Sequence, residues 1–314
     1  MTDSSYLAHP APRPVSRRGW TIAVAVLVVF AFVYFLVIRA YQVEGDLTTN
    51  DQQTLQEVDI RITAEPIEFD ARTNELSTRL RFDVVNPLLL DEGVRLNQGI
   101  RVTINDADGT DEVRFSQGEP IGNAEVELGT SGEVYSYPFD THEGFIAFGV
   151  ETFQRGAGGV NETTGQLSAS LEMEGSVSGW DISADLSELS GFPLADVVLK
   201  RAFSNQAFAF VLVMMAISVV VLAMITAVMC VTNRRKFEVA LLAWNGAILF
   251  ALPLLRTYLP GSPPIGAAVD IYLYLWTFVI SVGSLVLMII AWSEQRKADS
   301  LVHAGESPGA RHGA

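Results

Sequence analysis

Four long apolar segments divide the chain, one near the N-terminus and three in the C-terminal third. They are Thr21–Ile38, Ala207–Val231, Val239–Leu255 and Ile271–Trp292. None of them contains a formally charged residue. About 20 apolar residues in an α-helix cross a bilayer core of ~30 Å, so each segment is long enough to span a membrane, the third only just. Transmembrane helices are therefore predicted over residues 20–40, 205–232, 237–256 and 268–293.

The block between the first two apolar segments has a different period. In the stretch Leu76–Val85, one face carries Leu, Thr, Leu, Phe and Val, and charged or polar residues alternate with them. Period two is typical of a strand with one buried face. Similar stretches are separated by turn residues. The predicted strands are Leu55–Thr63, Leu76–Val85, Ile100–Asn105, Glu112–Ser116, Ala124–Leu128, Phe145–Val150, Leu167–Met173 and Trp180–Leu186. Many short strands at this spacing predict an all-β sandwich over residues 46–200.

Basic residues predict how the chain is oriented in a membrane. The clusters are Arg13, Arg17 and Arg18, then Arg234, Arg235 and Lys236, then Arg296 and Lys297. Cytoplasmic loops carry the excess of Lys and Arg. We therefore expect a multi-pass protein of the plasma (inner) membrane, with both termini cytoplasmic and residues 41–204 extracytoplasmic. The first segment is expected to be an uncleaved anchor, because no small-x-small cleavage site follows it. The polar tails 1–18 and 298–314 are expected to be disordered.

The predicted β domain is strongly acidic. Residues 41–200 contain 30 acidic and nine basic residues, a net charge of −21. A field of this sign repels nucleic acid and anionic lipid and concentrates cations, although a merely soluble surface has the same composition. The expected partners are the lipid bilayer, further copies of this chain, and an envelope protein or a small ligand. The single cysteine, Cys230, lies in the second apolar segment, so the β domain has no disulfide.

Signatures of an enzyme or of a metal site are weak. Three of the four histidines lie in the tails, and no HExxH, GxSxG, P-loop or CxxC motif is present. We therefore expect no enzymatic activity and no cofactor. Asp106, Asp108 and Asp111 resemble the start of a calcium loop, but Gln117 stands where the closing Glu belongs. Asp108-Gly109 is also the commonest type of hairpin turn, and the hairpin is the favoured interpretation.

The third apolar segment carries a polar stripe. At 100° per residue, six side chains fall close to one line on a helix. They are Glu238, Leu242, Asn245, Leu249, Leu252 and Arg256. Polar groups within a membrane face a protein interior or a water path. The stripe therefore predicts either a helix interface, with Asn245 hydrogen-bonded to a neighbouring helix, or a pore lining, and helix geometry alone favours the interface.

Two resemblances follow from short motifs. Tyr137-Pro138-Phe139-Asp140 in the β-rich block, and Leu259-Pro260-Gly261-Ser262 ahead of Asp270, resemble the pattern of a family of actinobacterial membrane proteins. That family is classed only as a domain of unknown function. The resemblance covers most of the chain and implies one N-terminal span, an external β domain and three C-terminal spans.

The second resemblance is to prokaryotic pentameric ligand-gated ion channels. It is carried by Tyr137–Asp140, Gly179-Trp180-Asp181-Ile182, Arg201 and Leu259-Pro260, in that order. It implies that residues 137–140, Arg201, Leu259 and Pro260 couple a ligand-binding domain to a pore lined by the third apolar segment. Threonine and serine rings typical of a conducting pore are absent from the stripe, and a fourth helix after Trp292 is missing.

Two functions are therefore predicted as alternatives. In the first, the protein is an integral membrane protein whose acidic external domain binds an envelope partner or ligand. In the second, it is a divergent channel-like receptor. On that resemblance Glu238 sets a preference for cations at the inner mouth, Asn245 lies in the middle of the pore, and Leu249 with Leu252 forms a hydrophobic gate.

Overall fold

The computed structural model describes residues 47–51, 58–91, 93–155 and 161–305, together with isolated positions between 21 and 39. The predicted N-terminal helix and the tail before it therefore lie largely or wholly outside the described residues, as does most of the predicted C-terminal tail. In the described part, a β-rich domain is followed by three long apolar helices. This order confirms the coarse architecture expected from the sequence.

Fourteen strands occur in the part of the β domain that the structure describes. They are β1 (Thr48–Asp51), β2 (Ile60–Asp70), β3 (Glu75–Val84), β4 (Leu90–Asp91), β5 (Arg95–Leu96), β6 (Gly99–Asn105), β7 (Thr110–Phe115), β8 (Ala124–Gly129), β9 (Ser131–Gly132), β10 (Thr141–Arg155), β11 (Asn161–Gln166), β12 (Ala169–Met173), β13 (Trp180–Leu189) and β14 (Phe192–Arg201). Each of the eight predicted strands overlaps one of these. The first of them begins at Leu55, outside the described residues.

The strands form two main sheets around one core. The larger sheet has the order β1-β13-β14-β10-β6-β7, with β9 and β11 also paired to β10, and the smaller has the order β12-β2-β3-β8. Both are mixed, since β1 pairs with β13, and β12 with β2, in parallel. Ile62 and Leu80 from the smaller sheet join Ile104 and Phe148 from the larger one in a single buried cluster. The alternating pattern of the sequence arises because each sheet turns one face toward this core.

Three helices follow the β domain and are long and apolar enough to cross a membrane. They are α1 (Phe203–Val231), α2 (Val239–Thr257) and α3 (Leu275–Gly305), the last preceded by a π-helical turn at Asp270–Tyr274. One face of α1 is buried, with residues spaced alternately by four and three: Ala209, Val213, Ala216, Val220, Ala223, Ala227 and Cys230. Mostly small side chains at this spacing allow neighbouring helices to approach closely.

The third helix extends further than expected. It continues to Gly305, into the tail that was predicted to be disordered from Ala298. Residues 293–304 contain no Gly or Pro, so Gly305 is the first strong helix breaker after the apolar segment. Hydropathy indicates where a helix leaves the apolar layer, whereas its end depends on helix propensity.

Candidate functional site at the junction of the β domain and the helices

Two strands bring the motif residues together at one end of the β domain. β14 ends at Arg201, and α1 begins two residues later. β10 begins at Thr141, directly after the turn Tyr137–Asp140, and pairs antiparallel with β14 so that Thr141 lies opposite Lys200. This register places Asp140 beside Arg201, where the chain passes from strand into helix. We call the five residues Tyr137, Asp140, His142, Trp180 and Arg201 the junction cluster.

The side chain of Arg201 is almost completely enclosed. Its Nε donates a hydrogen bond of 2.5 Å to Oδ1 of Asp140, and the two side chains are 1% and 0% exposed. The guanidinium carbon lies over two aromatic rings, 4.6 Å from the centre of Tyr137 and 4.5 Å from that of Trp180. A planar, delocalised cation suits this position because it stacks on aromatic faces and donates at its edge. The ion pair therefore fixes the turn 137–140 to the end of β14.

The other end of the guanidinium faces the connection between α2 and α3. A Cβ placed on Gly261 would lie 2.6 Å from Nη1 of Arg201. Gly261 also has a positive φ of 70°, which glycine adopts at little cost. Both Nη atoms are buried, and neither has a hydrogen-bond partner within the described residues. Arg201 thus contacts a turn of the β domain through Asp140 and a turn of the helix bundle at Gly261.

His142 holds the second oxygen of Asp140. Its Nε2 lies 3.3 Å from Oδ2 of Asp140, and its Nδ1 lies 2.8 Å from Oδ1 of Asn74 in the turn between β2 and β3. The imidazole is fully buried and packs edge-on against Phe69 and Trp180. The smaller sheet is in this way connected to the junction cluster.

The carboxyl group of Asp140 is held in its ionised form. Burial by itself favours the neutral acid, but the hydrogen bonds from His142 and Arg201, together with the positive charge of Arg201, outweigh it. The pKa of Asp140 is therefore below the ordinary value for aspartate. Since the carboxylate is enclosed and fully engaged, the cluster is suited to holding elements together and not to proton transfer with a substrate.

Tyr137 of the β domain is buried together with residues of the helix bundle. Its side chain is 1% exposed and belongs to a buried cluster with Leu212 of α1, Leu252 of α2 and Tyr274 before α3. Leu259, which follows α2, lies in the same cluster. Burial raises the pKa of Tyr137 well above its ordinary value, so the phenol stays neutral. Tyr137 thus shares one buried cluster with residues of α1, of α2 and of the turn before α3.

The connection between α2 and α3 has its own ion pair. Arg256 donates to both carboxylate oxygens of Asp270, at 3.1 and 2.9 Å, and to the carbonyl oxygens of Pro263 and Pro264. The backbone N–H of Gly266 donates to Asp270 as well. These bonds shape the segment that places Gly261 beside Arg201.

The polar stripe on α2 faces the interior of the helix bundle over most of its length. Asn245 and Leu252 are each 1% exposed, and only Glu238, the residue before the helix, is open to the surroundings. The remaining members, Leu242, Leu249 and Arg256, are half-buried. Ser284 of α3 donates a hydrogen bond of 2.5 Å to Asn245 Oδ1. This is the contact that the helix-interface interpretation requires.

The acidic turn near residue 106 closes a β-hairpin. β6 and β7 form a hairpin in which Asn105 pairs with Thr110. One carboxylate oxygen of Asp106 accepts hydrogen bonds from the N–H groups of Asp108 and Gly109, and the other accepts one from Gly129. Asp106 is thus occupied by backbone donors. Among the described residues, no group of three or more acidic, His or Cys side chains is placed to hold a metal ion.

An open cleft of about 500 Å³ lies beside the turn 137–140. Its lining includes the exposed side chains of Glu133, Phe139 and Glu143, with hydroxyl groups between them. Phe139 thus lies at the surface, next to the buried Asp140 in the chain, with two carboxylates beside it.

Sequence reasoning did not single out His142, Asn74 or Gly261 as parts of one site. A single histidine in a strand carries no spacing signal, and Asn74 lies 68 residues away in the chain. The sequence did not mark Phe69 on β2 as part of this site either, because a phenylalanine in a strand is also typical of an ordinary hydrophobic core. Gly261 belongs to the motif Leu259-Pro260-Gly261-Ser262. Its position between a proline and a serine indicated a turn, but not a contact with the β domain.

Two family models match this chain, and they meet where β14 passes into α1. Residues 49–200 match a model described as a domain of unknown function (DUF4436), and residues 201–295 match another described as a domain of unknown function (DUF8686). A comparison with curated proteins finds no match. The expected resemblance to an uncharacterised domain family is thereby supported in its coarse form, and the actinobacterial and ion-channel resemblances stay predictions. Across its β domain and its three helices, the chain is similar to these two families of domains of unknown function.

Proposed function

We propose that this protein is a membrane-anchored receptor, in which an extracytoplasmic β-sandwich binds a ligand or an envelope partner and the junction cluster transmits the bound state to the helices. Three helices of sufficient length and hydropathy support the membrane location. The basic loop Arg234–Lys236 joins α1 to α2 at the end of the bundle away from the β domain. A cytoplasmic position for that loop puts the β domain outside.

The observation that carries the proposal is the double contact of Arg201. One buried side chain pairs with Asp140 of the β domain and packs against Gly261 between two of the helices. A simple anchor needs only a flexible linker between domain and membrane. Here the strand enters the helix without a linker, and a buried charge joins two turns that are far apart in the chain. Movement of either turn changes the surroundings of the other.

The charge of the β domain suggests the class of ligand. With a net charge of −21 over residues 41–200, its surface attracts cationic groups. We therefore propose a basic peptide, a basic protein surface or a small organic cation as the ligand.

The test uses full-length protein in nanodiscs. A panel of polyamines, quaternary amines and basic peptides is screened by thermal shift, because a ligand that binds the folded state raises its melting temperature. Hydrogen exchange is then measured with and without a bound ligand. Ligand binding is expected to change exchange in residues 257–268 of the wild type but not in Arg201→Gln. Binding that protects the β domain and leaves residues 257–268 unchanged would show an anchored binding protein without transmission.

A channel-like receptor is the second candidate. The burial of Tyr137 and Leu259 in one cluster favours it, because the resemblance couples a β domain to a pore at these two turns. Its test is the oligomeric mass in nanodiscs, followed by ion flux through Leu249→Ser. A closed pentamer with a leak current supports a channel. A monomer or dimer leaves no ring for α2 to line and excludes this candidate.

A further inference from the structure

Two aromatic side chains in and beside the turn 137–140 are exposed and do not belong to the junction cluster. Tyr135 and Phe139 flank Tyr137, and their side chains are 60% and 66% exposed. Tyr137 itself is buried in a cluster with residues of the helices, which places the turn at the end of the bundle. Two aromatic rings are therefore held open to the surroundings at the height where the chain enters α1.

The helix ends at the same height present further exposed apolar residues. They are Phe203 at the start of α1, Tyr258 and Ile265 after α2, and Ile271 and Tyr272 before α3. Below them, the helices expose Phe250 and other apolar side chains along their length. The exposed rings of Tyr135 and Phe139 thus lie at the level of the apolar residues exposed at the helix ends. Aromatic side chains are enriched at the level of lipid headgroups because they combine an apolar body with a polar edge.

From this shared level and exposure we infer that Tyr135 and Phe139 insert into the headgroup layer of the outer leaflet, so that the turn bearing Asp140 is itself a lipid-binding element. The inference rests on the proposed membrane location. The carboxylates of Glu133 and Glu143 are exposed beside these rings. Because they repel anionic headgroups, the lipid surface that fits is zwitterionic.

The chain provides a matched control. Leu189, at the far end of β13, is 65% exposed, almost the same as Phe139. β13 and β14 pair over ten residues, so Leu189 lies about 30 Å from the junction along the strands. A membrane at the helix ends reaches Phe139 and leaves Leu189 in water. Phe250, in the middle of α2 and 80% exposed, reports the acyl region.

The experiment uses full-length protein in vesicles of phosphatidylcholine. Cys230 is the only cysteine, and it is replaced in a Cys230→Ala background. Single cysteines at Phe139→Cys, Leu189→Cys and Phe250→Cys carry a nitroxide label, and collisions with oxygen and with a water-soluble nickel complex are compared. Tyr135→Cys serves as a second reporter of the turn, in case Phe139→Cys does not fold.

We expect the label at position 250 to favour oxygen strongly, that at 189 to favour nickel, and those at 139 and 135 to favour oxygen at an intermediate depth. Labels at 139 and 135 that behave like the label at 189 would overturn the inference and leave the membrane location intact. Protection of both from both reagents would also overturn it, because protein and not lipid then covers the turn. A label at 250 that favours nickel would refute the membrane location itself.

Discussion

Arg201 stands at the point where the last strand of the β domain becomes the first apolar helix, and its charge is almost completely removed from solvent. A buried cation needs a partner, and Asp140 supplies one. Removing one member of such a pair costs about 3–5 kcal/mol, because the other charge is left buried and unpaired. Stacking of the Arg201 guanidinium on the rings of Tyr137 and Trp180 adds a contribution to stability that a lysine at this position does not reproduce.

The first prediction concerns the space beside the guanidinium. Gly261→Ala places a methyl group against Nη1 of Arg201 at a positive φ, whereas the same change at Gly266 meets only the backbone strain, since nothing lies within 4 Å of its Cβ position. Left-handed alanine costs about 1–2 kcal/mol. Displacing a packed group adds about 1–3 kcal/mol. We expect Gly261→Ala to lower the free energy of unfolding in detergent micelles by more than Gly266→Ala does. Equal effects would show that the guanidinium and this turn are not in firm contact.

The second prediction concerns pH. Because the pKa of Asp140 is lower in the folded protein than in the unfolded chain, its ionisation stabilises the fold above the ordinary pKa of aspartate, about 3.9. This stabilisation is lost as the pH falls through the lower, folded value. We expect the melting temperature of the wild type to fall below about pH 4, and that of Asp140→Asn to start lower and to depend less on pH in this range. An unchanged slope in the variant would contradict the ionised, buried carboxylate.

At the scale of single elements, the stripe on α2 shows what a sequence pattern can and cannot decide. The helical period placed Asn245 and Leu252 on one face, and both are buried. The same pattern fits a pore lining and a helix interface, because periodicity identifies a face without identifying its neighbour. The hydrogen bond from Ser284 supplies the neighbour, 39 residues away on α3.

The third prediction is a coupling between α2 and α3. A double-mutant cycle of Asn245→Ala and Ser284→Ala is expected to give an interaction energy of about 0.6 kcal/mol, within the range up to about 1.7 kcal/mol for hydrogen bonds between membrane helices. Stability in detergent micelles provides the measurement. Additive effects of the two substitutions would indicate that the helices do not pack through this pair.

The strand β14 was missed although it leads into the site. Its residues Phe192–Arg201 alternate in burial, but Pro193 near its start and two adjacent valines, Val197 and Val198, weaken the alternation in the sequence. The predicted strand 180–186 was found because its alternation is strict. Pairing with β10 and β13 on both sides stabilises β14, and such long-range pairing has no local signal.

At the scale of the whole molecule, composition and period were enough to predict a β-rich domain followed by three apolar helices. Both signals arise because a side chain that faces water is polar, whereas one that faces a protein core or lipid is apolar. The mixed sheets were beyond prediction, since parallel pairing of β1 with β13 joins segments more than 130 residues apart. The channel resemblance grouped Asp140 and Arg201 as coupling residues without indicating that they form an ion pair. The contact between them, and the part of His142 in it, follows from the register of β10 against β14.

The central claim is that the β domain and the helices are joined through the junction cluster, and hydrogen exchange tests it most directly. Full-length wild type, Asp140→Asn and the control Glu143→Gln, an exposed carboxylate three residues away, are compared in nanodiscs. Asp140 pairs with Arg201, and Nη1 of Arg201 lies beside Gly261, so the guanidinium provides a direct path from Asp140 to this turn. We predict that exchange in residues 257–268 rises by at least about tenfold, or 1.4 kcal/mol, in Asp140→Asn and stays unchanged in Glu143→Gln. Faster exchange confined to the start of β10, with residues 257–268 unaffected, would contradict the account.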